Sequence, residues 1–200
     1  MEDSTERAVK TLKKPIINAG NGIGEHPTQA LLDIYTIREE RGSIHGATIT
    51  LIGDLKNGRT VHSLAKLLTE YDSIRLRYVS PKGLEMPEYI KEYVKNKGVE
   101  QSEHNDINEV LDKTDVLYVT RVQKERFNKL TRKWEDYEGS YVIDAKLLAK
   151  AKSDVIVMHP LPRVSEISPD LDSDPRTAYF RQMENGMYVR MALLAMIFNR

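Results

Sequence analysis

Short apolar runs and amphipathic segments alternate along most of this chain of 200 residues. The apolar runs are rich in Val, Ile and Leu, as buried strands are, and they lie at 47–52, 74–79, 116–119 and 154–158. Between the first two runs, Val61, Leu64 and Leu68 recur at the spacing of one helix face. This alternation predicts an α/β fold: a doubly wound, mainly parallel sheet flanked by helices.

Weaker patterns complete the predicted order of elements. One helix begins at Pro27, which suits a first helical turn, and ends at Gly42. Further strands are predicted at 16–19 and near residue 99. Further helices are predicted at 8–13, 86–97, 107–111 and 145–152, and a last one from about residue 178 or 187 to 198.

The composition narrows the class of protein without identifying a function. Thirty Lys and Arg residues balance thirty Asp and Glu residues, so the net charge is zero, and no basic block marks a nucleic-acid surface. Cysteine is absent, which excludes disulfides and thiolate zinc sites. No apolar run reaches the length of a membrane span. We therefore predict a cytoplasmic protein with no metal, cofactor, nucleic-acid or membrane partner.

A His-Pro-Leu-Pro-Arg segment at 159–163 directly follows the last predicted strand. Two prolines fix the backbone and remove hydrogen-bond donors, so this segment leaves the sheet as a stiff loop. The Leu161–Pro162 peptide is a position where a cis bond is tolerated, and a cis bond would turn the Leu161 carbonyl toward a ligand. Loops at the carboxyl ends of parallel strands are where such sheets bind ligands.

Two glycine-containing turns resemble nucleotide-binding motifs imperfectly. The stretch 53–60 has the glycine spacing of a phosphate-binding loop but carries Arg59 and Thr60 where that motif has Lys and Ser or Thr. Arginine differs from lysine in shape and reach, so a nucleotide site and a plain strand-to-helix turn both remain possible readings. The stretch 20–24 has the first two glycines of a dinucleotide fingerprint, but Glu25 stands where the third glycine should be. We therefore predict a Rossmann-like topology without a dinucleotide site.

Two further pairs of polar residues share a predicted face. His26 and Gln29 lie three apart at a helix start, and Arg121 and Gln123 alternate with Val122 after a buried strand. Taken alone, the first pair could be a capping segment with a surface histidine, and the second a solvated loop. His45, His62 and His104 are interpreted as surface or helix histidines without a role.

Four of these segments, taken in chain order, closely resemble those of the aspartate carbamoyltransferase family: 26–29, 53–60, 120–126 and 159–163. The resemblance extends over nearly the whole chain from about Pro15. The resemblance implies that His26 bonds the carbonyl oxygen of carbamoyl phosphate and that Gln29 bonds its amide. It implies that Arg59, Arg121 and Gln123 hold the carboxylates of L-aspartate. The same resemblance assigns backbone carbonyl contacts with both substrates to Leu161 and Pro162, and it implies that the peptide bond between these two residues is cis. Ornithine carbamoyltransferases instead carry His-Pro-Cys-Gln and a late Cys-Leu-Pro segment, so aspartate is the expected substrate.

The resemblance also implies how the chain is divided. Residues 1–40 match the tail of a carbamoyl-phosphate-binding domain and its connecting helix, 41–182 match the aspartate-binding domain, and 183–200 form a helix expected to return to the first domain. The family's Ser-Thr-Arg-Thr-Arg phosphate loop and its mobile lysine loop are missing from this sequence. We expect the chain to be inactive alone and to form a homo-oligomer, a trimer in the intact family. The alternative is a noncatalytic partner of true carbamoyltransferases.

Overall fold

A computed structural model describes residues 4–22, 24–122 and 141–198. Six helices and five strands are formed by these residues. The helices are α1 (Ser4–Thr11), α2 (Pro27–Arg41), α3 (Arg59–Leu68), α4 (Glu88–Asn96), α5 (Ala145–Leu148) and α6 (Tyr179–Ile197). The strands are β1 (Thr48–Ile52), β2 (Arg75–Val79), β3 (Glu100–His104), β4 (Val116–Val119) and β5 (Ile156–Met158).

The five strands form one parallel sheet in the order β3-β2-β1-β4-β5. Alternate side chains of each central strand enter different cores because successive residues of a strand point to opposite faces. Ile49 and Leu51 belong to the core under α2, α3 and α4, whereas Ile52 packs in the other core beside Leu148 of α5. Burial of both faces by helices confirms the predicted doubly wound α/β fold.

Helix α2 shows how local sequence fixes an element that carries site residues. Pro27 occupies its first turn, and Gly42 ends it in a left-handed conformation, with φ of 75° and its N–H donating to the Arg38 carbonyl at 2.8 Å. Helix α2 packs between α3 and α6, so Ile37 is fully buried. The predicted bounds of this helix are confirmed.

Several predicted elements differ from the structure. The predicted strand at 16–19 is wrong, because this exposed or half-exposed stretch pairs with no strand of the described residues. The predicted helix at 107–111 is instead two short 3-10 turns, each with only three residues. The predicted helix at 145–152 is helical only over Ala145–Leu148. No helix in the described part of the chain is both long and apolar enough to cross a membrane.

The strand order creates a crevice at the carboxyl ends of β1 and β4. The chain moves from β1 outward to β2 and β3, and then returns to the other side of β1 to form β4. Such a reversal of strand order is where open α/β sheets bind ligands. Gly53 lets the two strand ends approach, since a Cβ atom there would lie 2.2 Å from the Thr120 carbonyl oxygen.

Candidate functional site

A cavity of about 260 Å³ opens at this crevice. It contains six of the seven predicted site residues, namely His26, Gln29, Arg59, Arg121, Leu161 and Pro162. Thr60, Thr120, His159 and Pro160 complete its lining. The seventh predicted residue, Gln123, lies outside the described residues. Segments separated by more than 130 positions in the sequence therefore meet at one site.

His26 directly precedes α2, and it lines the cavity from the N-terminal end of that helix. Its backbone N–H donates to the Ser63 hydroxyl at 2.8 Å, which fixes the start of the helix against α3. Burial, followed by the positive charges of Arg59 and Arg190, lowers the pKa of His26 to about 4. The imidazole is therefore neutral near pH 7 and can donate one N–H to a ligand carbonyl oxygen.

Arg59 is the first residue of α3, and its side chain contacts the segment that precedes α2. Its Nη1 atom donates to the Gly22 carbonyl oxygen at 2.9 Å. Gly20 passes directly over the guanidinium, so a Cβ atom there would lie only 2.8 Å from Cζ of Arg59. The guanidinium is thus fixed at a helix N-terminus, where backbone donors also favour anions.

The loop between β1 and α3 is organised by an acidic residue rather than by a phosphate. Asp54 is fully buried, and its Oδ1 atom accepts the backbone N–H of Asn57 at 2.9 Å. A buried carboxylate inside this turn disfavours a phosphate ligand, because like charges repel at short range in a poorly solvated site. Glu25, at the other imperfect motif, instead contacts Ser63 and Lys66. Both observations favour turns over nucleotide sites.

Arg121 follows Thr120 at the end of β4, next to the end of β1. The N–H of Thr120 donates to the Ile52 carbonyl at 2.8 Å and continues the sheet ladder up to the cavity. Arg59, at the start of α3, and Arg121, just after β4, therefore line the same cavity. Two guanidinium groups suit a ligand with two carboxylates, since each can bind a carboxylate through paired N–H donors.

The loop after β5 lines the same cavity with residues 159–162. The Leu161–Pro162 peptide is cis, as the sequence predicts, and Leu161 has φ of 48°. His159 is buried, its Nδ1 atom accepts the N–H of Leu161 at 2.8 Å, and its Nε2 atom lies 2.8 Å from Glu166. Since Nδ1 accepts, Nε2 carries the proton and donates to Glu166. His159 therefore shapes the loop from beneath, whereas Arg163 pairs with Asp172 away from it.

Sequence reasoning missed the polar residues beneath the cavity. Asp33, Gln182 and Glu166 are buried and bond the side chains or loop that line the cavity. The four-residue spacing of Gln29 and Asp33 on one helix was a usable signal. The partner Gln182 lies 149 positions from Asp33, and no local pattern could reveal that contact. His62, interpreted as a surface or helix histidine, lies on helix α3 and is buried there, with Nε2 2.7 Å from the Leu55 carbonyl oxygen.

Among the described residues, no group of three or more His, Cys, Asp or Glu side chains could hold a metal ion. The cavity instead combines positive charge, a neutral imidazole, an amide side chain and backbone carbonyls. In open parallel sheets a crevice at the switch point is where ligands bind, and the charge of this cavity suits a small anionic ligand.

Comparison with known families makes the assignment specific. The protein-family model of the aspartate/ornithine carbamoyltransferase Asp/Orn binding domain matches residues 45–197. The model of the carbamoyl-P binding domain of the same enzymes matches residues 2–39. The chain belongs to the aspartate/ornithine carbamoyltransferase family, and the family resemblance seen in the sequence is confirmed.

Similar relatives include a multifunctional protein and an enzyme named for one activity. The multifunctional protein pyr1-3 of Dictyostelium discoideum is 58% identical over 195 residues, which are 98% of this chain and 9% of that protein. The chloroplastic aspartate carbamoyltransferase of rice is 50% identical over 194 residues, covering 97% of this chain and 53% of that protein. The chain thus spans about half the length of the rice enzyme.

Solved structures agree in fold. Aspartate transcarbamoylase from Trypanosoma cruzi in complex with aspartate and phosphate superposes with a TM-score of 0.85 at 50% identity, covering 96% of this chain and 60% of that chain. The same enzyme in complex with carbamoyl phosphate gives a TM-score of 0.87 at 48% identity, covering 96% of this chain and 62% of that chain.

Proposed function

We propose that this chain provides the aspartate-binding part of an aspartate carbamoyltransferase in pyrimidine biosynthesis. In that reaction the amine nitrogen of L-aspartate attacks the carbonyl carbon of carbamoyl phosphate. A C–N bond forms, the C–O bond to phosphate breaks, and phosphate leaves. The observation that carries the proposal is the meeting of six expected substrate residues in one cavity at the switch point of the sheet.

The charges of the cavity support aspartate as the amino-acid substrate. Arg59 and Arg121 can each neutralise one carboxylate, and Gln123 is proposed to assist Arg121. Ornithine carries a distal ammonium group in place of the second carboxylate. That ammonium group would lie against a guanidinium of the same charge, and this repulsion would weaken the binding of ornithine relative to aspartate.

The remaining groups suit the carbamoyl end of the reaction. The neutral His26 imidazole offers a donor to the carbonyl oxygen, where negative charge develops as the amine attacks. Gln29 and the backbone carbonyls of Leu161 and Pro162 can orient the amide and the attacking amine. No nucleophilic side chain is needed, because the substrate amine is itself the nucleophile. The work of these residues is positioning and charge stabilisation.

We further propose three parts within the chain. Residues 1–40 belong with a carbamoyl-phosphate-binding domain, 41–182 form the aspartate-binding domain, and 183–200 contact the first domain. Two observations support this division: the two family models meet between residues 39 and 45, and the outer face of α6 carries exposed apolar side chains. We also propose assembly into a homo-oligomer and a cytoplasmic location, although plant relatives are chloroplastic by name.

The test is an assay of N-carbamoyl-L-aspartate formation by this chain, alone and joined to the preceding part of the rice relative's carbamoyl-phosphate-binding domain. We expect turnover only in the joined form, since phosphate binding needs preorganised positive charge. Binding of L-aspartate to the joined form without turnover would instead favour a noncatalytic partner of true carbamoyltransferases. A joined form that neither turns over nor binds L-aspartate would contradict the proposal.

A further inference from the structure

A buried carboxylate lies beneath the cavity and is not among the residues that line it. Asp33 is fully buried on α2, one helical turn after Gln29. An uncompensated charge at such a depth costs several kcal/mol, so a retained buried carboxylate needs strong hydrogen-bond donors. The donors that it has are side chains from three different elements.

Two side-chain amides and one hydroxyl donate to Asp33. Its Oδ1 atom accepts Nε2 of Gln29 at 2.9 Å and Nε2 of Gln182 at 2.6 Å. Its Oδ2 atom accepts the hydroxyl of Tyr118 at 2.8 Å. An ionised carboxylate only accepts hydrogen bonds, so it dictates which end of each amide faces it. The Oε1 end of Gln29 is thereby assigned to the cavity side.

The same contacts continue to the loop after β5. Gln182 donates to Asp33 through Nε2 and accepts the backbone N–H of His159 through Oε1 at 2.9 Å. His159 in turn accepts the N–H of Leu161 at 2.8 Å. A chain of hydrogen bonds, buried from Gln29 through Asp33 and Gln182 to His159, therefore joins the Gln29 side chain to the backbone of the Leu161 loop.

We propose that Asp33 is a positioning residue: it orients the Gln29 amide and, through Gln182 and His159, sets the distance of that amide from the Leu161 carbonyl. This inference rests on the proposed function, in which Gln29 and the loop carbonyls face the carbamoyl group. The two groups belong to segments 132 positions apart, so neither segment can fix their separation locally. A shared buried acceptor can, because its bonds are directional and its position in α2 is held by packing.

The electrostatics of Asp33 agree with this role. Burial raises its pKa to about 7, and the hydrogen bonds from Tyr118, Gln182 and Gln29 and the charge of Arg190 oppose that rise. The three donors and Arg190 thus hold the pKa of Asp33 below the value that burial alone would give, because they stabilise its anionic form. The anionic form is the one that accepts all three bonds.

Two substitutions separate positioning from bulk stability. Asp33→Ala removes the acceptor for three donors, whereas Asp33→Asn keeps one oxygen that can still accept both amides. Thr36→Val is the matched control on the same helix. The Thr36 hydroxyl is buried and accepts Nδ2 of Asn185 on α6 at 3.0 Å, so its loss loosens the same helix pair without touching the chain of bonds to Leu161.

Kinetics are measured on the joined enzyme described above, at a temperature where all variants are folded by circular dichroism. We expect Asp33→Ala to lower kcat about ten- to a hundredfold, as expected when buried donors lose a charged partner. The KM for L-aspartate should change little. Asp33→Asn should recover most of kcat, and Thr36→Val should retain it. Equal kcat in Asp33→Ala and Thr36→Val would overturn the proposal.

A second readout does not depend on activity. In the ¹⁵N-labelled chain, the Nε2 hydrogens of Gln29 and Gln182 and the N–H of Leu161 should be protected from exchange. Asp33→Ala should remove that protection, whereas Asp33→Asn and Thr36→Val should keep it. Persistent protection in a folded Asp33→Ala chain would also overturn the proposal. Absence of turnover in the unsubstituted joined enzyme would contradict the proposed function alone, and the exchange result would still decide the positioning role.

Discussion

The guanidinium of Arg59 donates from Nη1 to the carbonyl oxygen of Gly22 at 2.9 Å. This bond joins regions matched by two different family models, since Gly22 lies within residues 2–39 and Arg59 within residues 45–197. A proposed aspartate-binding group is therefore held in place by the segment that belongs with the carbamoyl-phosphate-binding domain. Substrate affinity should depend on residues of that segment that never touch the substrate.

Gly20→Ala tests this dependence. The new methyl group would lie 2.8 Å from Cζ of Arg59, so the guanidinium must move and lose its present position. We expect the KM for L-aspartate in the joined enzyme to rise roughly tenfold, equivalent to one charge-assisted hydrogen bond of about 1.5 kcal/mol. Steady-state kinetics with varied aspartate measure the effect.

Gly42→Ala is the control for that change. Gly42 also has positive φ, of 75°, but a Cβ atom there would meet nothing within 4 Å. Both substitutions strain the backbone by about 1–2 kcal/mol, so both should lower the melting temperature. Only Gly20→Ala should change the KM. A similar KM in the two variants would show that the position of Arg59 does not set aspartate affinity.

Arg121→Ala should weaken aspartate use far more than carbamoyl phosphate use. Loss of a charge-assisted bond of roughly 1.5–3 kcal/mol predicts a fall of about ten- to a hundredfold in kcat/KM for aspartate. The exposed Arg38, which pairs with its neighbour Glu39, provides the control variant Arg38→Ala with the same change of charge. An equal loss for both substrates would indicate a structural role for Arg121.

The stability of the chain should depend on pH through Asp33 in a defined direction. The pKa of Asp33 is about 7 in the folded chain and 3.8 in its reference state, so the folded state binds more protons between these values. Stability from this group is therefore lost as pH rises from about 4 to 7. We expect Asp33→Asn to gain stability relative to the unsubstituted chain across that range, and the difference to level off above it.

Urea unfolding of both chains at a series of pH values measures the difference directly. His26 titrates in the opposite sense, because its folded pKa of about 4 lies below 6.5, but it is present in both chains and cancels. Tyr118, Gln182, Gln29 and Arg190 face Asp33 and are likewise unchanged. A difference that stays constant from pH 4 to 7 would contradict the raised pKa of Asp33.

The outer face of α6 should make the isolated chain self-associate. Met191, Leu194, Met196 and Phe198 are large apolar residues with about half or more of their surface exposed. Apolar side chains exposed so close together, three on α6 and Phe198 directly after it, favour association. We expect Phe198→Glu to shift the chain toward monomer in analytical ultracentrifugation, and Val9→Glu, at an exposed apolar residue of α1, to leave the distribution unchanged. A monomeric unsubstituted chain would contradict the prediction.

The sequence predicted the fold well because the strong signals are local. The buried runs that became β1, β2, β4 and β5 and the capped helix α2 needed only periodicity and end residues. The stretch 16–19 was misassigned because a short apolar run is not a strand without a neighbour to pair with. The cavity-lining residues were predicted from motifs at strand and helix ends together with the family resemblance that these motifs carry. The network of Asp33, Gln182 and His159 could not be, since its bonds join elements far apart in the sequence.

The most direct test of the central claim is a competition between the two amino acids that this family uses. The joined enzyme is incubated with ¹⁴C-labelled carbamoyl phosphate and equal concentrations of L-aspartate and L-ornithine, and the labelled products are separated by ion exchange. Two guanidinium groups in the cavity predict that the label enters N-carbamoyl-L-aspartate almost exclusively. Label in citrulline, or an undiminished yield of N-carbamoyl-L-aspartate after Arg121→Ala, would contradict the account of the site given above.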